Sequence, residues 1–507
     1  MAKIERTKNT ITGAFWGAMD KISSILLPFL VRTFLIKNLG ADYLGLSGLF
    51  TSILQVLNLT ELGFGAAAVY AMYKPISEDD YSTVGAIICY LKKTYRIIGI
   101  AIMIIGMATV PFLGKIIHGD IPSDINIYIL FGIYLVNTSI SYLLFAYKTS
   151  LLQALQLSRI TSRVSFFANT IMRLAQIVVL ILIPNYYVYI ILLPICTLTI
   201  NLVNSRIVDK NYKCWLVKSE LNMEIRDDIG KRLFPLMSTK LASVLVNSAD
   251  TLVISAFLGL TQVAIYNNYY YIMNSISGFL IVIYGAMQAG IGNALVVDSH
   301  EKIMSDFKKF HFINNWVVTV CTACLLCLYQ PFVKLWVGEE LMLPFAMVVL
   351  FCIYFYANTI QRIVVIYKDA AGIWKEDMVR CYLSCILNLV VNIITVRYIG
   401  LYGVIGSSVM ANLIGLPWMA FILYHTKFKE SSKGFYKTEI RDALVAIIIC
   451  YLSYLAVMKI PYGVVGLLLR GIICFAFSNL MLWMVFRKNE QYFEFKNWAL
   501  NIIRKRG

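Results

Sequence analysis

The sequence predicts an all-α integral membrane protein with about fourteen transmembrane helices. Of its 507 residues 59% are hydrophobic and 14% are charged, and the mean hydropathy is +0.72. Soluble domains have about 25% charged residues, so the composition excludes that class. Apolar runs of about 20 residues, long enough to cross a bilayer, recur along the whole chain. Lys and Arg cluster on alternate connecting stretches, which is typical of a polytopic membrane protein.

The apolar runs place the individual spans. The first run contains Asp20 and Lys21 and lacks a small-residue cleavage site, so we expect an uncleaved span rather than a signal peptide. The predicted spans are 11–36, 43–72, 94–114, 124–146, 164–184, 186–206, 233–257, 263–297, 311–330, 344–367, 378–398, 401–425, 441–458 and 463–486.

The basic residues orient these spans. Of the 45 Lys and Arg residues, 34 fall on one set of connecting stretches and the two ends, and 5 fall on the other set. We therefore expect both termini in the cytoplasm, in a bacterial inner or plasma membrane. The net charge of +17 lies in short loops rather than on one aromatic-interleaved face, so it favours anionic membrane lipids as partners and disfavours nucleic acid.

A short internal repeat suggests how the spans are grouped. Leu39-Gly40 is followed by Leu44-Gly45, and Leu258-Gly259 is followed by Val263-Ala264, at an offset of 219 residues. Unless this match is chance, it predicts two homologous lobes with a central cavity between them. The expected organisation is an N-lobe of helices 1–6 at 1–206, a cytoplasmic linker at 207–232, a C-lobe of helices 7–12 at 233–425, helices 13 and 14 at 426–486, and a basic tail at 487–507, which is either an interfacial helix or a frayed end.

Polar residues at helical spacing form stripes on six of the spans. A single stripe is more often interhelical hydrogen bonding than a pathway. Six stripes in both proposed halves favour a wet lumen, on which we expect Asn247 and Asn274. Spans 13 and 14 lack a stripe apart from Arg470, so we expect them at the periphery. The stripes are Ser47, Thr51, Gln55, Asn58 and Glu61; Asn169, Arg173 and Gln176; Lys240, Ser243, Asn247 and Asp250; Asn267, Tyr270, Asn274, Ser277, Tyr284 and Gln288; Tyr354, Asn358 and Arg362; and Asn388, Asn392 and Thr395.

The ionisable residues inside spans are mostly basic. Each costs roughly 2.5 to 3.5 kcal/mol to insert near a helix centre, so each is a functional candidate or has a partner. No carboxylate lies at the depth of Arg173, Lys240 or Arg362, and we expect these three on the substrate path. A cationic lumen implies an anionic cargo, and paired guanidinium donors suit phosphate. The six basic residues are Lys21, Arg32, Arg173, Lys240, Arg362 and Arg470, and the three acidic ones are Asp20, Glu61 and Asp250.

Other interpretations stay open for several of these charges. Asp20 or Lys21 could pair with Glu61, and Arg32 could extend to the outer interface. Asp20, Glu61 and Asp250 are also candidates for coupling an ion or a proton.

The remaining chemistry-bearing residues do not predict an enzyme, a cofactor or a metal site. Most of the eleven cysteines lie inside apolar runs, as small packing residues do. Cys321, Cys324 and Cys327 have cluster-like spacing, but no fourth thiol follows nearby, so we expect packing there as well. The chain has no HExxH, GxSxG or P-loop motif, and its short outer loops leave little room for a catalytic domain.

The stretch from Leu27 to Asp80 closely resembles the first two helices of bacterial oligosaccharide flippases. These transporters belong to the multidrug/oligosaccharidyl-lipid/polysaccharide exporter superfamily, which also holds lipid II flippases. Further resemblance lies in LLQALQLSR before span 5, NSADTLVISAFLGLTQVAIYNNYYYI across spans 7 and 8, and IGLYGVIGSS before span 12. The matching elements near the start are Arg32-Thr33, Leu39-Gly40, Tyr43-Leu44-Gly45-Leu46, Glu61-Leu62-Gly63 and Tyr73-Lys74-Pro75.

The resemblance implies alternating access by two six-helix lobes. The implied cargo is an undecaprenyl-diphosphate-linked oligosaccharide, moved from the inner to the outer leaflet for capsule or O-antigen-type polysaccharide synthesis. A polysaccharide polymerase and other assembly proteins are implied partners. Of the candidate site residues, only Arg32 and Asp250 are carried over as lying in family-like motifs. The alternatives are a multidrug-type exporter, whose commonly cationic cargo a basic lumen would repel, a lipid II flippase, and, from another class, a membrane enzyme.

Overall fold

The computed structural model describes residues 6–58, 63–119 and 121–504. Side chains at 6–11, at 14, at several positions between 224 and 247 and between 286 and 296, and from 498 onward lie outside the description. The helices are α1 (Arg6–Asn38), α2 (Ala41–Leu57), α3 (Phe64–Ser77), α4 (Tyr81–Thr109), α5 (Leu113–Ile116), α6 (Ile127–Leu143), α7 (Ala146–Ala154), α8 (Ser158–Leu182), α9 (Tyr186–Asn211), α10 (Met223–Leu258), α11 (Leu260–Val297), α12 (His300–Val337), α13 (Phe345–Ile360), α14 (Arg362–Ala370), α15 (Lys375–Ile399), α16 (Leu401–Leu423), α17 (Lys433–Val457), α18 (Val464–Phe486) and α19 (Glu490–Arg504).

The all-α membrane fold predicted from the sequence is confirmed. Each predicted span coincides with a described helix or with a pair of helices separated by a break. Nine of the described helices are long and apolar enough to cross a membrane, and the pair α6 and α7, bent by 48°, makes up to ten. Large apolar side chains such as Ile97, Ile104 and Ile171 are exposed, as lipid-facing residues must be.

Several helices begin earlier than the apolar runs. α4 begins at Tyr81 rather than at 94, and α12 at His300 rather than at 311. The first turns of α12 are polar, and those of α4 end at Lys92 and Lys93 just before the predicted span. Hydropathy therefore starts both spans late, although the backbone hydrogen bonds continue the helix. The carboxylate of Asp80 caps α4 by accepting the N–H of Thr83 at 2.9 Å, and this bond holds the pKa of Asp80 below its usual value.

The helices pack as two compact units, unit 1 (residues 1–264) and unit 2 (residues 265–507). Unit 1 includes α10, which packs on α2 and α3. The core of unit 1 is apolar and continuous, with fully buried Phe50, Phe131 and Tyr186. The expected lobe limits at 206 and 233 stay a prediction.

Within unit 1, the turn before α2 meets the turn before α11. Both turns contain a glycine with positive φ, Gly40 (116°) and Gly259 (90°), which are the positions of the predicted repeat. The hydroxyl of Thr261 donates to Asp42 at 2.5 Å, across 219 residues of sequence. A Cβ on Gly45 would collide with the carbonyl of Leu260, so a glycine is needed at this close approach.

The end of α10 adds two hydrogen bonds to the same region. The N–H of His118 donates to the carbonyl of Ser255 at 3.0 Å, and the hydroxyl of Ser255 donates to the carbonyl of Ile116 at 3.0 Å. We call the whole set, from Asp42 and Gly45 to Ser255, Leu260 and Thr261, the turn contact.

Both units contain a fragment of three helices with a break between the first two, and the 48° bend belongs to the break in unit 1. In unit 1 the fragment comprises α6, α7 and α8, and in unit 2 it comprises α13, α14 and α15. α6 begins at Ile127 and α13 at Phe345, 218 residues later, and α7 and α14 each have 9 residues. The sequence predicted span 10 at 344–367, and the structure has one candidate span there, Phe345–Ala370, with a one-residue break at Gln361 between α13 and α14.

In unit 2, α17 and α18 pack on α12, as expected for two peripheral helices. Arg470 of α18 is buried and donates to the carbonyls of Met458 and Ile460, so its charge caps a helix end instead of lining a path. Cys324 and Cys327 of α12 meet Cys450 of α17 and Cys474 of α18 in one apolar cluster, which does not include Cys321. Over the described ranges, no group of three or more His, Cys, Asp and Glu could hold a metal ion.

Candidate functional site

A polar cavity of about 590 Å³ lies inside unit 1. Its wall consists mainly of hydroxyl and amide groups from several helices, and neither Lys nor Arg is among the described residues that line it. Such groups hydrogen-bond neutral polar ligands without selecting for charge. The lining residues are Asp20, Gly63, Gly65, Ala66, Tyr95, Ser141, Tyr142, Ala146, Thr149, Ser150, Gln153, Thr161, Ser162, Ser165, Ile200, Asn201 and Asn204.

Asp20 is the charged group among those lining residues. One of its carboxylate oxygens, Oδ1, is buried and accepts no hydrogen bond from a described residue. Asn169 of α8 hydrogen-bonds to the carboxyl group. Gly13 brings α1 so close to α8 that a Cβ there would lie 2.9 Å from the hydroxyl of Ser158, and this approach fixes the depth of Asp20. The free oxygen is an acceptor for a hydroxyl or an ammonium group of a ligand.

A second polar group in unit 1 surrounds Arg173 on α8. Its Nη1 donates to Oε1 of Gln176 at 3.0 Å, and Nε2 of Gln176 donates to the carbonyl of Tyr189 at 3.3 Å. Arg173 is partly buried and forms no ion pair with a described residue. Arg32 and Arg173 both lie within electrostatic reach of the Tyr189 side chain, so two guanidinium groups share one region of unit 1.

The corresponding group in unit 2 surrounds Arg362. This residue is the first of α14, directly after the break at Gln361. Its guanidinium lies within electrostatic reach of Tyr270, Tyr284 and Tyr354. Asp369 is also within reach, but its carboxylate pairs with Lys368 at 3.0 Å. The described residues therefore leave Arg362 with phenol groups around it and without an ion pair.

The break beside Arg362 is held by side chains from other helices. Nδ2 of Asn314 on α12 donates to the carbonyl of Ile360 at 3.0 Å and to that of Thr359 at 3.4 Å. The hydroxyl of Tyr284 donates to Oδ1 of Asn314. Nε2 of Gln361 donates to Oδ1 of Asn412 at 2.7 Å. The two bonds from Asn314 satisfy carbonyls that the break frees, as an apolar surrounding requires, while the bonds of Tyr284 and Asn412 hold the side chains of Asn314 and Gln361.

Aromatic rings extend this group. Tyr266 and Tyr270 stack at a centroid distance of 5.7 Å, and Tyr270 and Tyr354 stack at 6.5 Å. We call Arg362 with Tyr270, Tyr284 and Tyr354 the Arg362 cluster. Its chemistry combines a cation, phenol donors and flat apolar faces.

Two buried lysines were missed from the sequence. Nζ of Lys148 on α7 lies 2.7 Å from Asp209, and Nζ of Lys368 on α14 lies 2.7 Å from Asp377. Both lysines fall just beyond a predicted span, at 124–146 and at 344–367. The signal that could have found them is a carboxylate at the same end of the spans: Asp377 lies on the same connecting stretch as Lys368, and Asp209 lies on the next stretch at the end where Lys148 lies.

The other predicted site residues have mixed outcomes. Asp250 is buried and engaged by neighbours, and Asn274 is exposed on unit 2. Lys240 and Asn247 lie on α10, but their side chains lie outside the described residues. Glu61 falls within 59–62, also outside the description, and its pairing with Asp20 or Lys21 stays a prediction.

One polar stripe serves helix packing rather than a wet face. Asn388 on α15 is fully buried, and its Nδ2 donates to the hydroxyls of Ser407 at 3.3 Å and Ser408 at 3.1 Å on α16. Asn392, one turn further along, is also fully buried. For this span, the interhelical alternative is therefore correct.

Comparison with known proteins places the chain. A family model described as "Polysaccharide biosynthesis protein" matches residues 11–287, which is more than half of the chain. No curated protein matches the chain.

Solved structures share its fold at low sequence identity. The lipid II flippase MurJ in an inward closed conformation is 15% identical, covering 95% of this chain and 99% of that one, with a TM-score of 0.62. An inward-facing multidrug resistance MATE family transporter of the MOP superfamily is 16% identical, covering 80% and 96%, with a TM-score of 0.61. A mutant of the Vibrio cholerae MATE transporter VcmN is 15% identical, covering 84% and 99%, with a TM-score of 0.56.

Proposed function

Because the chain belongs to the polysaccharide biosynthesis protein family, we propose that it moves undecaprenyl-diphosphate-linked oligosaccharide repeat units from the cytoplasmic to the outer leaflet by alternating access. Its multi-pass membrane fold, shared with a lipid II flippase and MATE transporters, supports a flippase-type transporter. We place it in a bacterial cell membrane with both termini in the cytoplasm, as its Lys and Arg bias predicts. The role is transport rather than catalysis.

The observation that carries this proposal is the Arg362 cluster. A partly buried guanidinium without an ion pair is costly unless an anion completes it. Its N–H groups present paired donors, which match two oxygens of one phosphate group. The side chains of Tyr270, Tyr284 and Tyr354 lie within electrostatic reach of the same guanidinium and surround it with phenol groups. A diphosphate would supply the negative charge and the paired acceptor oxygens that complete the guanidinium.

The polar cavity of unit 1 supports an oligosaccharide as the rest of the cargo. Hydroxyls and amides such as Ser141, Thr149 and Asn201 match the alternating donors and acceptors of sugar hydroxyls. The aromatic rings of Tyr95 and Tyr142, 5.8 Å apart, add apolar faces of the kind on which sugar rings pack. Oδ1 of Asp20 accepts no hydrogen bond from a described residue, and it would accept one from a sugar hydroxyl.

The membrane potential favours export of such a cargo. Moving one charge across 100 mV is worth about 2.3 kcal/mol, so two uncompensated negative charges leaving an inside-negative cell gain about 4 to 5 kcal/mol. Asp20, Glu61 and Asp250 remain candidates for coupling a proton or a cation to this step. A polysaccharide polymerase and other assembly proteins are the proposed partners downstream.

A multidrug-type exporter is the second candidate, and one observation favours it. Asp20 puts a carboxylate with a free oxygen on the unit 1 cavity, and none of the described lining residues is basic. A cationic cargo would suit that cavity, whereas Arg362 would repel it. The two functions differ in phenotype: loss of an exporter raises drug sensitivity, while loss of the flippase removes surface polysaccharide.

The test is complementation of a bacterial strain that lacks its repeat-unit flippase. We expect the chain to restore surface polysaccharide and to clear accumulated lipid-linked oligosaccharide. Arg362→Ala should abolish export at an unchanged membrane protein level, and Arg362→Lys should restore only part of it, because an ammonium cannot present paired donors. Arg487→Ala is the matched control, since Arg487 is exposed and packs on Trp483 near the end of α18.

Full export by Arg362→Ala would contradict the assignment of Arg362. Failure of the unmodified chain to complement, together with resistance to cationic drugs, would favour the exporter instead.

A further inference from the structure

We propose that unit 1 binds an anionic phospholipid in a groove formed by α1, α8 and α9. The groove has a volume of about 760 Å³, is mostly apolar, and shares no lining residue with the polar cavity. We call it the α8 groove. Its lining residues are Thr12, Trp16, Arg159, Ile160, Arg163, Val164, Phe167, Ala168, Ile171, Thr199, Val203, Ile207 and Asn211.

The α8 groove follows the helices lengthwise. On α8, residues that recur every four positions share one face of the helix, and the same spacing occurs on α9. From Arg159 to Ile171 the helix rises about 18 Å at 1.5 Å per residue. That length is close to half of the roughly 30 Å hydrocarbon core, which is the depth of one leaflet. The residues at this spacing are Arg159, Arg163, Phe167 and Ile171 on α8, and Thr199, Val203, Ile207 and Asn211 on α9.

One end of the groove is polar and basic. Arg159 and Arg163 are one helical turn apart on α8, and Thr12 of α1 and Asn211 of α9 line the groove beside them. The guanidinium of Arg163 lies 5.7 Å from the centre of the Trp16 ring. This cation–π contact leaves the N–H edge of the guanidinium free to donate. Neither arginine forms an ion pair with a described residue, and none of the lining residues is acidic.

Close packing of α1 on α8 sets the position of Trp16. Gly13 and Gly17 form a small-xxx-small pair, and a Cβ on them would lie 2.9 Å from Ser158 and 3.9 Å from Ser162. Because α1 and α8 approach this closely, the indole of Trp16, which lies between the two glycines, packs over the guanidinium of Arg163. The basic end is therefore shaped by packing and does not consist of loose surface arginines alone.

Charge and length together identify the occupant. The arginines require a negatively charged headgroup phosphate, and the apolar remainder requires an acyl chain of single-leaflet length. The polar end belongs to the side of the chain that the Lys and Arg bias predicts to be cytoplasmic, where anionic headgroups occur. A polyprenyl chain of transport cargo is much longer than the roughly 18 Å of this helix face, and a free phosphate would leave the apolar wall uncovered. This inference does not depend on the proposed transport function.

The test counts lipids bound to the purified full-length chain by native mass spectrometry. The probes are phosphatidylglycerol and phosphatidylcholine with identical acyl chains, inorganic phosphate, and a polyprenyl diphosphate. We expect one tightly held phosphatidylglycerol. The double change Arg159→Ala with Arg163→Ala should weaken it about 30-fold, because each basic residue beside an anionic headgroup contributes on the order of a factor of five. Arg206→Ala, on exposed α9 surface outside the groove, should leave binding unchanged.

A groove-filling change gives an independent measurement. Ala168→Trp should displace the acyl chain and reduce phosphatidylglycerol binding, whereas Ile104→Trp, at an exposed position on α4, should not. Equal binding of the two phospholipids, equal effects of the arginine pair and Arg206→Ala, or retention of polyprenyl diphosphate or inorganic phosphate in place of phosphatidylglycerol would each overturn the proposal. If Ala168→Trp does not fold, the arginine pair decides the outcome.

Discussion

The fragments α6–α8 of unit 1 and α13–α15 of unit 2 have helices of matching order and length but different chemistry. In unit 1, the helix after the break contributes a polar wall, because Ala146, Thr149 and Gln153 line the cavity. In unit 2, the first residue of the equivalent helix α14 is Arg362, surrounded by tyrosines. The comparison shows that a repeated backbone shape can offer a neutral hydrogen-bonding surface in one copy and a cationic one in the other. A cargo with a sugar part and a phosphate part needs both.

The fragments also share a buried lysine, but its surroundings differ in exposure. Lys148 pairs with Asp209, whose side chain is 49% exposed, whereas Lys368 pairs with Asp377, whose side chain is 1% exposed. Arg380 donates to the same carboxylate of Asp377 at 2.5 and 2.8 Å. Removing a fully buried carboxylate leaves its cations unpaired, while a half-exposed one can be replaced by water.

The largest expected effect is therefore a loss of stability specific to unit 2. Asp377→Ala should destabilise the protein by about 3 to 5 kcal/mol, because it removes the ion-pair partner of Arg380 and leaves Lys368 with only the partly exposed Asp369. Asp209→Ala should cost about 1 kcal/mol or less, since Lys148 keeps its 2.8 Å bond to Ser205. Thermal unfolding of the purified variants measures both. Equal destabilisation would remove the proposed difference between the fragments, and Lys368→Met combined with Asp377→Leu should recover part of the loss.

Exchanging charge between the two breaks tests whether their chemistry is interchangeable. Ala146→Arg should reduce export about tenfold or more, because it puts a cation beside Asp20 and fills the sugar cavity. Combined with Arg362→Ala, it should not restore export, since the tyrosines that complete the Arg362 cluster belong to unit 2. Surface polysaccharide and membrane protein level are measured together. Rescue by the double change would show that only net charge matters.

The support of the break in unit 2 should matter more than its counterpart in unit 1. Asn314→Ala frees two carbonyls at the break and should cost about 1 to 3 kcal/mol, with export reduced because Arg362 shifts. In unit 1, Asn201 donates to the carbonyl of Ile140 at a longer 3.5 Å. Asn201→Ala should therefore lower the free energy of unfolding by less than about 1 kcal/mol. Unfolding temperatures and export are compared; a larger effect of Asn201→Ala would reverse the ranking.

The smallest effect concerns a single amide of the unit 1 cavity. Gln153→Ala removes one of many neutral groups and should lower export only a few-fold, with unchanged stability, because Gln153 is exposed on the cavity wall. Dose-dependent expression with polysaccharide as readout resolves such a change. Complete loss of export would mean that this cavity recognises its cargo through one specific contact instead of many.

The sequence predicted much of this molecule for physical reasons that also explain its failures. Apolar runs and basic loops report the lipid environment directly, so the positions of the spans and the peripheral packing of α17 and α18 followed. The sequence did not predict helix starts such as Tyr81 and His300, because the long apolar run stops near the headgroup region while the helix extends beyond it. The break at Gln361 could not be seen in the sequence because the side chain that satisfies its carbonyls, Asn314, is distant in sequence.

The candidate site divides in the same way. Arg173 and Arg362 were singled out because an unpaired charge inside a span is costly wherever it points, and their place on a substrate path stays a prediction. Asn388 was misjudged because its hydrogen-bond partners belong to another helix, and periodicity cannot distinguish a wet face from a packed one. Lys148 and Lys368 were missed because burial at a helix end depends on folding of the loops around it.

The turn contact of unit 1 bears on the rate of a transport cycle. Three hydrogen bonds and one close backbone approach hold it together. At about 1 kcal/mol for each bond, such a contact opens and recloses within the microsecond to millisecond range of collective helix motions. If a transport cycle requires these turns to separate, their separation is therefore not the step that limits its rate. If the chain moves a charged cargo, we expect its turnover rate to respond more strongly to membrane voltage than to substitutions at Asp42.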